Sequence, residues 1–272
     1  MQLERKVQSE PLAGLSNAKE KVLARLTHRK YRQEEGLFLA EGLKLVGEAL
    51  ERGAGIEWAV ASETADKRAA ELVRLLLERG VQVYRASEKS LVKNLDLVTP
   101  QALTAVCVEP RLSLPDLVPG ARSLVVVSDN LREPGNLGAL IRVAAASGAA
   151  ALLAGPGTVD PYNSKCVRGS MGAIFRLPVF RVGREELKNF MESRNFGIYA
   201  AAAEGENVFA LDKFPSRTAL ILGSEAAGPT EFTSGLGARL LGVPMAAGVE
   251  SLNVAVAAGI LLYRIAEKVS LK

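Results

Sequence analysis

The sequence predicts an α/β protein in which a parallel, doubly wound sheet fills the C-terminal half and a smaller α/β domain precedes it. Short apolar runs alternate with amphipathic stretches along the chain, the pattern of strands joined by crossover helices. The run SLVVVSDN (123–130) is apolar almost without a break, as strands buried on both faces are. Between the halves, PRLSLPDLVPGARS (110–123) gathers three prolines and a glycine, a composition that marks a connection rather than an element. The domains expected from this are 1–110, a linker over 111–122, and 123–272.

The elements follow in order. Residues 12–35 read as a helix, with Leu12, Leu15, Ala18, Val22 and Leu26 at helical spacing and a basic opposite side. GLFLAEGLKLVGEALERG (36–53) is a short strand running into a helix through Leu43, Val46, Ala49 and Leu50, with Gly53 as its stop. Strand 56–62, helix 69–80, strand 81–87 and strand 101–110 complete a β-α-β-α-β rhythm of one-domain size. Past the linker come strand 123–130, helix 136–147, strand 150–154, helix 163–170, strand 178–181 and helix 184–194. Strands 197–202, 219–223 and 239–243 follow, and a long helix runs from Ser251 to about Lys268.

Composition narrows the classes. With 272 residues, 48% of them hydrophobic, the chain can bury a core without staples. A net charge of +4 permits a polyanionic partner without demanding one. Locally, residues 1–32 hold eight Lys and Arg against three Glu. Cys107 and Cys166 stand far apart outside any Cys-x-x-Cys pattern, and His28 is the only histidine, so neither a disulfide framework nor a metal site is expected. No apolar stretch reaches membrane-spanning length, and the first residues lack the apolar core of a signal peptide. The expectation is a cytoplasmic protein without a membrane partner.

No GxGxxG opens a helix after a strand, and no Walker-type loop exists, which disfavours a dehydrogenase or an NTPase. Ligands of open α/β sheets sit outside the carboxyl ends of the strands. Three polar, glycine-containing turns fall at such ends: Asp129 to Asn136, Gly223 to Pro229, and Pro244 to Ser251. Each residue also has a plain structural reading. Arg142 suits a helix surface beside an acid, Ser251 a helix N-cap with Asn253 in the first turn, and Glu225 a solvated loop.

Taken together, the three turns resemble the motifs of the SpoU/TrmH RNA methyltransferases. Asn136-Leu137-Gly138 through Arg142 is similar to N-x-G-x-x-x-R, Leu222 to Gly228 to LGSEGxG, and Val243-Pro244-Met245 with Glu250-Ser251-Leu252-Asn253-Val254 to IPMxxxxESLNV. The likeness covers about residues 123–268, with the motifs in family order. It implies a deep trefoil knot in the parallel-sheet domain. It implies S-adenosylmethionine as methyl donor and a ribose 2′-hydroxyl of RNA as acceptor. By position, it assigns Gly223, Val243, Met245 and Leu252 to the donor, and Arg142 to catalysis with Asn136, Glu225, Ser251 and Asn253 around it. It further implies a homodimer with the active site at the subunit interface. The small residues Ala255, Ala257, Ala258 and Gly259 fit close helix packing there, and ordinary core packing explains them equally. Ala226 and Pro229 stand where the family has glycine and leucine, so the second turn is expected to differ in shape.

Methyl transfer needs the hydroxyl oxygen aligned with the S–CH₃ bond and relieved of its proton. A guanidinium hardly deprotonates, so Arg142 is better cast gripping the neighbouring phosphate and stabilising the developing alkoxide. The proton acceptor stays unassigned. The first domain resembles the ribosomal-protein-like substrate-binding domain of many family members, most clearly in FLAEGLKLVGEAL (38–50). Within Thr27 to Arg32, the residues Arg29, Lys30, Tyr31 and Arg32 suit RNA contact, and equally the solvated face of a helix. Ribosomal RNA of the 23S type is the expected substrate. The alternatives are a tRNA or a non-catalytic RNA-binding protein that kept the knot.

Overall fold

Ser16 opens the first helix, α1 (Asn17–Leu26), its hydroxyl accepting from the Lys19 N–H at 3.4 Å. The structure is a computed structural model that describes residues 12–95, 99, 101–223, 230, 233 and 235–270. Periodicity predicts one helix over 12–35, yet α1 stops at Leu26 and α2 (Arg29–Glu35) starts afresh. The cause is Arg32. It is 1% exposed, and its guanidinium donates to the carbonyls of Leu26 and Thr27, each at 2.9 Å. Those carbonyls would otherwise end α1 unpaired.

Then come β1 (Leu37–Glu41), α3 (Leu43–Glu51), β2 (Ile56–Ser62), α4 (Lys67–Glu78), β3 (Gln82–Ala86), α5 (Glu88–Leu95) and β4 (Leu103–Val108). The sheet order is β1-β4-β2-β3. β4 runs antiparallel to both neighbours, and β2 pairs β3 in parallel. α5 is absent from the elements expected of the sequence; it is a short amphipathic stretch that buries Leu91 and Leu95. Leu23, Leu26, Leu39, Trp58, Val60 and Val106 meet those two in one core.

The second sheet is assembled from β5 (Ser123–Ser128), α6 (Pro134–Ala146), β6 (Ala151–Ala154), α7 (Ser164–Gly169), β7 (Val179–Arg181), α8 (Arg184–Ser193), β8 (Gly197–Asn207), β9 (Arg217–Leu222), β10 (Arg239–Gly242) and α9 (Val254–Val269). Its six strands are all parallel, in the order β10-β8-β9-β5-β6-β7. The α/β class, the parallel sheet and the smaller domain ahead of it are therefore as expected. Val125, Val127, Leu153, Phe180, Leu187, Phe190 and Ile221 fill the core on one face. By contact density the chain divides into Met1–Pro110 with Tyr162–Phe175, and Arg111–Pro161 with Arg176–Lys272. The segment carrying α7 thus packs with the first unit. Phe38 meets Tyr162 and Phe175 there, at ring distances of 4.8 and 5.9 Å, and Arg168 pairs with the buried Glu41.

One close approach shapes the second sheet. β10 pairs Leu240 with Ala200 and then Leu241 with Glu206, so the intervening residues of β8 leave the ladder. Gly205 brings them back directly against β10. A Cβ on Gly205 would lie 2.6 Å from the Gly242 nitrogen, and one on Gly242 would lie 2.8 Å from the Gly205 oxygen. Only two glycines allow this contact of main chain on main chain.

Two stability predictions follow from these contacts. Burial raises the Glu41 pKa above its ordinary value, and Arg168 offsets this only in part. A raised carboxylate pKa stabilises the fold while the group is protonated, and that contribution is lost as pH rises through the folded value. Glu41→Gln should therefore gain on the wild type in unfolding midpoint as pH rises above the ordinary carboxylate range, and a constant gap would refute it. Gly205→Ala should lose about 1–3 kcal/mol or more in denaturant unfolding, because the obstructing atoms are backbone. An unchanged midpoint would mean that the crossing is loose.

Candidate active site

The carboxyl ends of β5 and β10 carry the first and third of the turns that the sequence singles out. At the end of β5, Asp129 is 3% exposed and accepts hydrogen bonds from the hydroxyls of Thr230 and Thr233, the latter at 2.6 Å. Its N–H donates to the Leu222 carbonyl at 2.9 Å. Asp129 thereby ties the first turn to the segment following β9. Glu133 then caps α6, its carboxylate accepting from the Asn136 N–H at 2.6 Å, with Pro134 in the first turn.

Asn253 is the N-cap of α9, accepting from the Ala255 N–H at 3.0 Å. The N-cap expected at Ser251 is corrected by this, since the helix starts at Val254. The Asn253 amide also donates to the side-chain oxygen of Asn136 at 2.9 Å. The first and third turns, well over a hundred residues apart in the chain, are joined by that bond.

A cavity of about 260 Å³ opens beside them. Gly223, Val243, Met245 and Leu252 all line it, as does Ser251. The structure thus gathers the four residues proposed for donor binding around one space. Arg142 and the Asn136–Asn253 pair are not among its lining residues. Arg142 is exposed on α6, and no acid among the described residues pairs with it. Its plain reading as a partner of a nearby carboxylate therefore finds no support there. Glu225, Ala226 and Pro229 lie outside the described residues.

Sequence inspection misses several contributors. Ala201, Ala202 and Ala203 form one wall, on the stretch of β8 that leaves the ladder, and Leu241, Val254, Ala257 and Leu261 add to it. Small residues in a strand carry no chemical signature, so only the bulge identifies them. Glu250 also lines the cavity. Asp129 had one available signal, a charged residue closing an unbroken apolar strand.

The small residues of α9 turn out to pack within their own chain. Ala255 and Ala258 are buried, a Cβ on Gly259 would meet Val143 of α6 at 3.8 Å, and Ala257 faces the cavity. The exposed apolar side chains of this helix are Val256 and Tyr263. In the first unit Arg29 and Lys30 are exposed, while Tyr31 is half-buried with the Arg25 guanidinium 4.4 Å above its ring. Arg32, expected among the RNA contacts, is corrected to a structural role because its donors are spent on α1. Cys107 and Cys166 are buried and not joined in a disulfide, and burial pushes Cys107 up to about 12. Among the described residues no three His, Cys, Asp or Glu are placed to hold a metal ion, and no helix is long and apolar enough to cross a membrane.

Residues 123–263 match the model of the SpoU rRNA Methylase family, and residues 17–105 match that of the MRM3-like substrate binding domain. A 23S rRNA (guanosine(2553)-2′-O)-methyltransferase of Bacillus subtilis is 34% identical, the match covering 93% of this chain and 98% of the relative. Among solved structures, the AdoMet-bound rRNA methyltransferase from Sinorhizobium meliloti superimposes with a TM-score of 0.81 at 31% identity, covering 94% of this chain and 96% of the other. The SpoU methyltransferase AviRb from Streptomyces viridochromogenes, in complex with AdoMet, does so with a TM-score of 0.82 at 28% identity, covering 93% and 98%. With these matches over residues 17–105 and 123–263, the chain belongs to the SpoU rRNA methylase family.

Proposed function

We propose that this protein transfers a methyl group from S-adenosylmethionine to a ribose 2′-hydroxyl of 23S-type ribosomal RNA. The observation that carries this is the cavity at the strand ends, with Gly223, Val243, Met245 and Leu252 around it. Its wall suits such a donor. Aliphatic side chains and Met245 offer apolar surface to an adenine, Gly223 brings main chain without a side chain to the lining, and Glu250 supplies a negative charge near a cationic ligand. When bound, S-adenosylmethionine supplies a methyl group on a positively charged sulfur.

The chain's own residues align the acceptor and exclude water. Asn136 and Asn253 brace each other and fix α6 against the start of α9. Arg142, exposed and without an acid partner among the described residues, is the cation that grips a phosphate beside the target ribose. Staying protonated, it stabilises the alkoxide as it develops. Because Arg142 does not line the cavity of its own chain, the reading includes a homodimer in which a second copy delivers it. Val256 and Tyr263 on α9, 53% and 52% exposed, support an apolar face for that contact. The trefoil threading belongs to the same proposal, as do a catalytic domain over 123–272, a linker over 111–122 and a cytoplasmic location. The first domain holds the RNA, with Arg29 and Lys30 meeting phosphates and Tyr31 offering a ring.

Mapping 2′-O-methyl positions in total RNA with and without the protein tests the activity; the expected result is one ribosomal nucleotide that depends on it. Arg142→Ala should abolish transfer while leaving donor affinity nearly intact, and wild-type-like turnover would sink that role. Replacing Arg29 and Lys30 together by alanine should weaken RNA binding and reduce its salt slope by about 1–2. Unaltered slopes would return this segment to a solvated helix face.

A further inference from the structure

Among the described residues lining the cavity, Glu250 has the only ionisable side chain. The others are aliphatic residues, Gly223 and Met245, with one hydroxyl from Ser251. Glu250 lies in the segment between β10 and α9, directly before Ser251 and Leu252, and it is exposed. No described residue gives it a hydrogen bond or an ion pair. A carboxylate without a partner at the edge of an apolar space sets up a negative potential that no described lining group cancels, and the low-dielectric walls focus it.

Donor and product of the proposed reaction differ in charge at one atom. S-adenosylmethionine carries a sulfonium, an ammonium and a carboxylate, and is a net cation. In the transfer the S–CH₃ bond breaks with its electron pair remaining on sulfur, an O–CH₃ bond forms at the ribose, and the hydroxyl proton leaves to solvent. S-adenosylhomocysteine, a thioether, is left with no net charge. Resting on the donor-site reading above, we propose that Glu250 faces the sulfonium end of the ligand and gives the cavity its preference for donor over product. The attraction draws the cationic donor in and vanishes once the methyl is gone, so the product is released from a site that no longer holds it by charge. As positive charge leaves sulfur in the transition state the attraction weakens, so it acts on donor binding rather than on the chemical step.

The test is calorimetric titration of the full-length protein with S-adenosylmethionine and with S-adenosylhomocysteine, comparing wild type, Glu250→Gln and Glu250→Asp. Glu250→Gln should weaken the donor about five- to tenfold and the product by less than about twofold, with the donor effect shrinking at high salt. Glu250→Asp should keep much of the preference. In steady state Glu250→Gln should raise the donor KM without lowering kcat. An equal loss for both ligands, or no loss for either, overturns the proposal; unfolding midpoints check that each variant is folded. If the wild type binds neither ligand, the donor-site reading itself fails. If it binds both and the Gln variant keeps the full preference, the Glu250 assignment alone falls.

Discussion

Where Gly205 lies against the peptide joining Leu241 to Gly242, two main-chain segments touch with no side chain between them. The candidate site depends on that contact. It lets β8 leave the ladder after Ala200 and return at Glu206, and the departing residues become a wall of the cavity. It also fixes the end of β10, from which Val243 and Met245 project into the same space. Interiors are packed too tightly to absorb an extra methyl at such a point without moving backbone. The shape of the cavity is thus set by the absence of two side chains.

Polar contacts then bring the turns into register. Asp129 holds Thr230 and Thr233, and the Asn136–Asn253 bond joins α6 to the first residues of α9. Each uses a residue that also closes or caps an element, so folding and site assembly share the same groups. A cap is worth about 1 kcal/mol, and a substitution at Asn253 would remove both the cap and the bridge. Rigid strand ends carrying loops suit a reaction that needs alignment more than motion. Of the groups expected to meet RNA, Arg142 is exposed on α6 and is not a lining residue, and Arg29 and Lys30 are exposed in the first unit.

Secondary structure was legible wherever periodicity ran long. The strand SLVVVSDN, the helix after it and the final helix all appear within a few residues of their expected bounds. Failures came where a single side chain outweighed the pattern. Arg32 folds back to end α1, and Asn253 takes the cap that Ser251 was expected to supply. α5 is missing from the expected elements because its apolar face, built on Leu91 and Leu95, spans only eight residues. The segment carrying α7 reads as an ordinary crossover of the parallel sheet, yet Arg168 and Phe175 pack with the first unit, a choice of partner that no local pattern encodes.

By itself the sequence determined the fold class, the order of the elements, the three turns and, through their resemblance, the family. These are properties of local composition and spacing, readable because propensity and hydrophobic period act over a few residues. Tertiary structure alone decided that Asn136 bonds Asn253, that Ala255 and Ala258 of α9 are buried while Ala257 lines the cavity, and that Glu250 stands unpaired among the described residues beside it. Such facts depend on groups brought together from distant parts of the chain. Contact between them is fixed by strand order and by the crossing at Gly205, and neither leaves a trace in the residues on either side.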